Sequence, residues 1–96
     1  MQGLTLENIR VVEVGGYSGY DLFFMIQGKL YNFMIAKTNP PMPLNILHRF
    51  EDQGFCPICK RLILPYPIGN QPCLELKKID RLLLDKLKKF LPAALN

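Results

Sequence analysis

Three cysteines and one histidine are the residues of this chain whose types and spacing point most directly to chemistry. Cys56 and Cys59 stand in the sequence CPIC, and Cys73 follows after thirteen intervening residues. Thiolates two residues apart can bind one metal ion from a tight turn, and the proline after the first cysteine helps to shape that turn. Adding His48, the only histidine, gives a closed tetrahedral set. The sequence therefore predicts a structural zinc site at Cys56, Cys59, Cys73 and His48.

The tetrapeptide CPIC resembles the zinc knuckles of RING and zinc-ribbon proteins, over these four residues only. A complete site of that kind shows a second C-x-x-C or a C-x-x-H further along the chain. Here Cys73 alone follows, so the fourth ligand is open. His48 is the natural candidate, and Glu75 or a residue from a second chain are the alternatives.

Two other interpretations of the cysteines stay open. Cys56 and Cys59 could form a thioredoxin-like or glutaredoxin-like redox pair, which should follow a buried strand and open a helix that lowers the pKa of the first thiol. Polar residues precede CPIC here, and Pro65 follows five residues after it. The three cysteines could also be inert, reduced core thiols, because free cysteine is among the most buried residue types.

The elements that must position these residues begin with a β-rich segment over residues 4–37. The sequence predicts a strand over residues 8–14, a glycine-rich loop at 15–19, and a hairpin that turns near Gly28. A two-residue turn places one fully apolar set of side chains on a single face, which must be core. That set is Tyr20, Leu22, Phe24, Ile26, Tyr31, Phe33 and Ile35.

The other face of this hairpin mixes polar and apolar residues. Asp21, Gln27 and Asn32 alternate there with Phe23, Met25, Leu30 and Met34. Because this face is too apolar to lie fully in water, we expect a helix, a second chain or a ligand to cover part of it. The face makes a homodimer plausible.

The second half of the chain predicts a break, two helices and an irregular segment between them. Prolines at 40, 41 and 43 end the sheet, and residues 44–54 have the spacing of a short helix with Leu44, Leu47 and Phe50 on one side. Residues 73–76 could form a short strand. Residues 75–91 predict an amphipathic helix on Ile79, Leu82, Leu83, Leu87, Phe90 and Leu91.

These elements predict a single α+β domain over residues 1–96. We expect a small antiparallel sheet of three to four strands, beginning with a β-meander, and two helices, the C-terminal one amphipathic and packed on the sheet. The chain has 96 residues, 49% of them hydrophobic, and a net charge of +4. The odd number of cysteines and the absence of a signal peptide or an apolar spanning segment indicate a cytoplasmic protein.

Motifs of catalysis do not support an enzyme. Because the chain has one histidine, few residues could form a catalytic set of nucleophile, base and orienting group. The sequence also contains no P-loop, G-x-G-x-x-G or H-E-x-x-H motif. We expect a non-enzymatic interaction or regulatory module held by zinc, with a protein partner or self-association. The alternatives are a zinc-supported nucleic-acid-binding protein, favoured weakly by the basic last helix, and a C-x-x-C thiol oxidoreductase.

Overall fold

The computed structural model describes residues 5–14, 18–38, 40–68 and 71–91. A four-stranded antiparallel meander is its main element, in the order β1-β2-β3-β4. Its strands are β1 (Glu7–Val14), β2 (Gly19–Ile26), β3 (Lys29–Ala36) and β4 (Met42–His48). Two helices follow, and the second packs against β4. The expected α+β architecture is confirmed.

The turn between β2 and β3 sets the register of the sheet. Gln27 and Gly28 both have positive φ angles, 50° and 77°, as a two-residue hairpin turn that matches the strand twist requires. Leu22 then lies opposite Phe33, and Phe24 opposite Tyr31. All seven residues predicted for the core face are at most 2% exposed: Tyr20, Leu22, Phe24, Ile26, Tyr31, Phe33 and Ile35. The predicted face assignment is confirmed.

The short helix predicted over residues 44–54 is wrong, because most of that segment is β4 and the turn after it. Met42–His48 pairs with β3, with Phe33 opposite Ile46 and Tyr31 opposite His48. The prolines that precede and begin this segment favour extended backbone, and an edge strand accommodates Pro43 because one row of its amides needs no partner in the sheet. Ile46 and His48 alternate into the core, while Leu44 is exposed.

The segment that carries CPIC forms a short hairpin, β5 (Gly54–Phe55) with β6 (Leu62–Ile63). Phe55 lies opposite Leu62, and both side chains are exposed. The chain then runs without a strand or helix to residue 68 and reaches β4 again at an isolated bridge between Leu47 and Pro72. The predicted irregular path is therefore confirmed apart from this hairpin. Of the predicted loop at 15–19, residues 15–17 lie outside the described part of the chain.

The strand predicted at 73–76 and the continuous helix predicted at 75–91 are both corrected. Cys73 caps α1 (Leu74–Lys77), and α2 (Asp80–Leu87) begins after a break and continues into a 3₁₀ turn, Lys88–Phe90. With this break, the helices bury a set of leucines that join the core of the sheet: Leu76, Leu83, Leu84, Leu87 and Leu91. Leu82 and Phe90 point outward instead and are 58% and 42% exposed.

The helices pack into the same core as the apolar face of the hairpin. On the opposite face, Phe23, Met25, Leu30 and Met34 keep intermediate exposure. No helix in the described ranges is long and apolar enough to cross a membrane.

Candidate metal centre

Four separate stretches of backbone bring the predicted ligands to one place. His48 ends β4, Cys56 follows β5, Cys59 lies in the turn before β6, and Cys73 immediately precedes α1. Their ligand atoms, three Sγ atoms and one imidazole nitrogen, all lie within 4.8 Å of one another. The structure therefore brings together all four residues that the sequence predicts, and they could hold a metal ion.

Distances within the cluster suit a tetrahedral ion. The Sγ atoms of Cys56 and Cys73 are 3.8 Å apart, and Cys59 Sγ is 3.5 Å from His48 Nε2. Zinc bonds of about 2.3 Å to sulfur and about 2.0 Å to nitrogen give tetrahedral edges of about 3.8 Å between two sulfurs and about 3.5 Å between sulfur and nitrogen. These two distances match those expected around a bound zinc ion. The other ligand atoms are at most 4.8 Å apart, so they would need to move closer by about 1 Å or less.

The CPIC turn is shaped by hydrogen bonds to Cys56. The backbone amides of Ile58 and Cys59 both point at Cys56 Sγ, from 3.4 and 3.3 Å. The Lys60 amide donates to the Cys56 carbonyl at 3.0 Å, and Lys60 takes a positive φ of 66°. Amide donors directed at the sulfur stabilise a thiolate, so the turn presents Cys56 in the form that binds metal.

His48 is held with one nitrogen facing the sulfurs. Its Nδ1 lies 2.7 Å from the carbonyl oxygen of Gln71, which can only accept, so Nδ1 carries the proton and Nε2 keeps a free lone pair. The rings of Tyr31 and Phe50 pack beside the imidazole, with centroids 5.7 and 5.4 Å away. A metal-ligating histidine typically has such a carbonyl partner, which fixes its tautomer and ring orientation.

Tyr31 is part of the site although its sequence position marked it only as core. Its hydroxyl oxygen lies 3.0 Å from Cys56 Sγ. Burial, and then the hydrogen bond with Cys56, raise the pKa of the Tyr31 phenol well above its usual value, so it stays protonated and donates to the sulfur. The pairing of Tyr31 with His48 in the register of β3 and β4 places both side chains at the cluster.

The thiols of the cluster influence one another. The hydrogen bond from Cys73 lowers the pKa of Cys56 against the opposing effect of burial, and hydrogen bonds from the Cys59 amide and the Tyr31 hydroxyl lower it further. The same hydrogen bond, together with burial, raises the pKa of Cys73. Cys56 is therefore the first thiolate of the group, and a bound cation would favour ionisation of the other two.

Most of the cluster is shielded from water. His48, Cys56 and Cys73 are fully buried, and Cys59 is half-buried. Catalytic zinc sites keep one coordination position open for water or substrate, whereas structural sites fill all four with protein ligands. The four ligands at this cluster match the structural kind.

The alternatives for the fourth ligand and for the cysteines fit this geometry less well. The Glu75 carboxylate pairs with Lys78 at 3.0 Å and is not part of the cluster. Cys56 and Cys59 lie in a turn between two short strands, so no helix begins there to lower the pKa of the first thiol as in a thioredoxin-like pair. Inert core thiols do not explain the convergence of an imidazole nitrogen on three sulfurs.

Comparison of the chain with protein-family models, curated proteins and solved structures finds no match. The conclusions on function therefore depend on the geometry of the chain itself.

Replacing Tyr31 by phenylalanine is expected to weaken zinc binding about tenfold, because hydrogen bonds to metal ligands typically contribute 10- to 100-fold in affinity. Phenylalanine keeps the packing of the ring against Phe24 and Phe50. The measurement is zinc transfer to a chromogenic chelator. Tyr20→Phe is the control, because Tyr20 lies on the same face at the other end of the hairpin, opposite Ile35. Equal affinities of the two variants would contradict the role of the Tyr31 hydroxyl.

Proposed function

We propose that this protein is a small, non-enzymatic interaction module of the cytoplasm whose partner-binding segment is held in place by one structural zinc ion. The observation that carries the proposal is the convergence of His48, Cys56, Cys59 and Cys73 into one buried cluster. Zinc is the metal that this donor set favours, because three thiolates and one imidazole in a closed tetrahedral site are typical of structural zinc.

The zinc would connect parts of the chain that share little other structure. β5 and β6 have only two residues each, and the chain from 64 to 68 contains no strand or helix. The cluster ties this region to His48 at the end of the main sheet and to Cys73 at the start of α1. One bound ion would therefore help to hold this region against the sheet, together with the backbone hydrogen bonds that reach it from β4 and Phe50.

The segment that the cluster fixes is rich in exposed apolar side chains. Phe55, Leu62, Leu64, Tyr66 and Ile68 are between 44% and 72% exposed. Ordering exposed apolar groups next to one another is unfavourable in water unless they serve a contact, so such patches commonly mark interaction sites. The proposal assigns partner binding to this segment and to the open face of the sheet beside it.

Metal content is the experiment that tests the proposal. Mass spectrometry of protein purified without chelator or affinity metal is expected to give one equivalent of zinc. Cys59→Ser is expected to reduce that content to less than about a tenth after dialysis, because loss of one thiolate removes one of four bonds to the ion. Because Cys59 is only half-buried, replacing its thiol by a hydroxyl should disturb the packing of the core little.

Ile58→Ala is the matched control, since Ile58 is a half-buried neighbour in the same turn and offers no ligand atom. Its zinc content should remain at one equivalent. A wild-type protein that carries no zinc, and takes up none when Zn²⁺ is added under reducing conditions, would refute the proposal.

A further inference from the structure

A cleft runs along the open face of the sheet, on the side away from the helices. It consists of two adjoining cavities of about 390 and 460 Å³. Both are lined by Arg10 and Leu30 from the sheet and by Phe50 and Glu51 from the chain after β4. Each volume falls in the range of small-molecule sites, about 300 to 1,000 Å³. Each cavity is therefore large enough for a ligand unit of nucleotide size.

Arginines and aromatic rings alternate along this cleft. The guanidinium carbon of Arg10 lies 5.0 Å from the centroid of the Phe23 ring. That of Arg49 lies 5.6 Å from the Phe23 ring and 4.3 Å from the Tyr66 ring. We call Arg10, Phe23, Arg49 and Tyr66 the stacked ladder. Ring contacts hold the guanidinium planes in place and leave their N–H edges for another group.

The ladder has polar atoms that lack partners. The ion pairs found among the described residues involve neither Arg10 nor Arg49. The Nε atom of Arg49 is buried and makes no hydrogen bond, and the same is true of Asn32 Oδ1, whose residue is 3% exposed and lies opposite Phe23. Asn32 lines neither cavity, so only Arg49 Nε belongs to the cleft. Its unsatisfied N–H and the lack of an ion pair leave Arg49 with hydrogen-bonding capacity and charge for a polar ligand.

We propose that the stacked ladder binds single-stranded nucleic acid. Guanidinium edges match phosphate oxygens, and the face of Tyr66, a residue that is 46% exposed, is a platform on which an unpaired base can stack. Arg10, Arg49 and Lys29 supply positive charge along both cavities. A duplex does not fit this scheme, because paired bases present no free face for stacking.

Glu51 and Asp52 lie beside these cations and shape the expected binding. Both side chains are exposed and line the first cavity. Carboxylates repel phosphate but accept hydrogen bonds from amino groups on base edges, such as N4 of cytosine. Binding is therefore expected to be modest in affinity and to favour strands with amino-bearing bases (adenine, cytosine or guanine) over strands of uridine or thymidine.

The proposal depends on the zinc-held segment, since Tyr66 comes from it. The Tyr66 amide donates to the Phe50 carbonyl at 2.7 Å, and Ile63 anchors the same stretch in the core. Zinc at the Cys56–Cys59 turn would keep this stretch over the sheet. Binding of nucleic acid thus names a partner class for the interaction module proposed above.

The test is fluorescence anisotropy of labelled single-stranded RNA and DNA of about ten nucleotides, titrated at low salt with the zinc-loaded protein. Wild-type protein is expected to bind single strands at least tenfold more tightly than a duplex. Tyr66→Ala should weaken binding about tenfold through loss of stacking. Arg49→Gln should weaken it about tenfold and make the slope of log affinity against log salt less steep by about 0.7.

Arg81→Gln is the matched control, because it removes one exposed arginine from α2, outside the cleft. It should bind like the wild type. No binding by wild-type protein at low salt, equal binding of single strands and duplex, or loss of binding in Arg81→Gln but not in Tyr66→Ala would each overturn the proposal. Tyr66 is 46% exposed and is not part of the core, so we expect its substitution to leave the fold intact. Thermal melts check this for Tyr66→Ala and Arg49→Gln.

Zinc content measured on the same samples separates the two proposals. If the protein holds one equivalent of zinc but does not bind nucleic acid, the proposal that the stacked ladder binds single strands is overturned and the zinc proposal stands. Binding that depends on Tyr66 and Arg49 in a protein without zinc overturns the metal centre alone.

Discussion

Removal of zinc is expected to lower the melting temperature of this protein by about 20 °C or more. Structural zinc in small domains contributes about 10 to 16 kcal/mol of apparent binding free energy at neutral pH. A domain of this size has a total free energy of unfolding of about 5 to 15 kcal/mol. Even half of the lower figure for zinc, about 5 kcal/mol, corresponds to a shift of about 20 °C or more, since 1 kcal/mol moves the melting temperature by about 4–8 °C.

The loss is expected to begin in the segment 54–73 and not in the meander. Hydrogen exchange should lose protection first at the amides of Cys56, Lys60 and Tyr66, whose hydrogen bonds lie in this segment or connect it to Phe50. The paired strands β2 and β3 share eight paired positions and lie over the main core, so their amides should exchange later. The measurement combines thermal melts with and without chelator and exchange mapped by mass spectrometry.

Two variants make this test specific. Cys73→Ser should melt like the chelated wild type and should not change further when chelator is added, because the buried ligand is already missing. Ile63→Val, a buried residue of β6 that offers no ligand, should cost about 0.5–1.5 kcal/mol and should still respond to chelator. A wild-type melting temperature that chelator leaves unchanged would refute a stabilising metal, whatever its identity.

The Cys56–Cys59 turn and the core face could be predicted because side-chain type and local spacing determine them, whereas the approach of His48 and Cys73 to that turn depends on the fold. Cys56 and Cys59 occupy one tight turn whatever the rest of the chain does. The even positions of β2 and the odd positions of β3 share one face once Gln27 and Gly28 form the turn. Both patterns are short-range, so a single sequence contains them in full.

The errors arose where distant contacts decide the structure. Leu44, Leu47 and Phe50 recur at helical spacing, but hydrogen bonds to β3 make this segment a strand. That error hid the position of His48 opposite Tyr31, and with it the hydrogen bond from the Tyr31 hydroxyl to Cys56. A better signal was present in the three prolines at 40, 41 and 43, which favour extended backbone.

Other parts of the site have no side-chain pattern at all. The carbonyl of Gln71 orients His48, and any residue at that position would offer the same oxygen. The stacked ladder joins β1, β2, the residue after β4 and the segment after β6, so its members become neighbours only in the folded chain. The break between α1 and α2 also has no signal in the sequence pattern, since the apolar spacing of residues 75–91 continues through it.

Phe33→Ala is expected to lower the free energy of unfolding by about 3–5 kcal/mol, the usual cost of truncating a buried phenylalanine to alanine. Phe33 is 0% exposed and lies at the centre of the sheet, opposite Leu22 on β2 and Ile46 on β4. Removal of its ring leaves a cavity between the sheet and the helices that rigid neighbouring strands cannot close. Because the total is only about 5–15 kcal/mol, this variant should be close to unfolding at 37 °C.

Met34→Ala is the matched control, because Met34 is the next residue of β3 and points to the open face with intermediate exposure. Its cost should stay below about 1.5 kcal/mol, since a half-buried side chain loses less burial than a core one. Urea unfolding of both variants in saturating zinc measures the difference independently of the metal centre. Equal costs would show that the open face is as fully covered as the core, which would require a second chain or a ligand on the stacked ladder in solution.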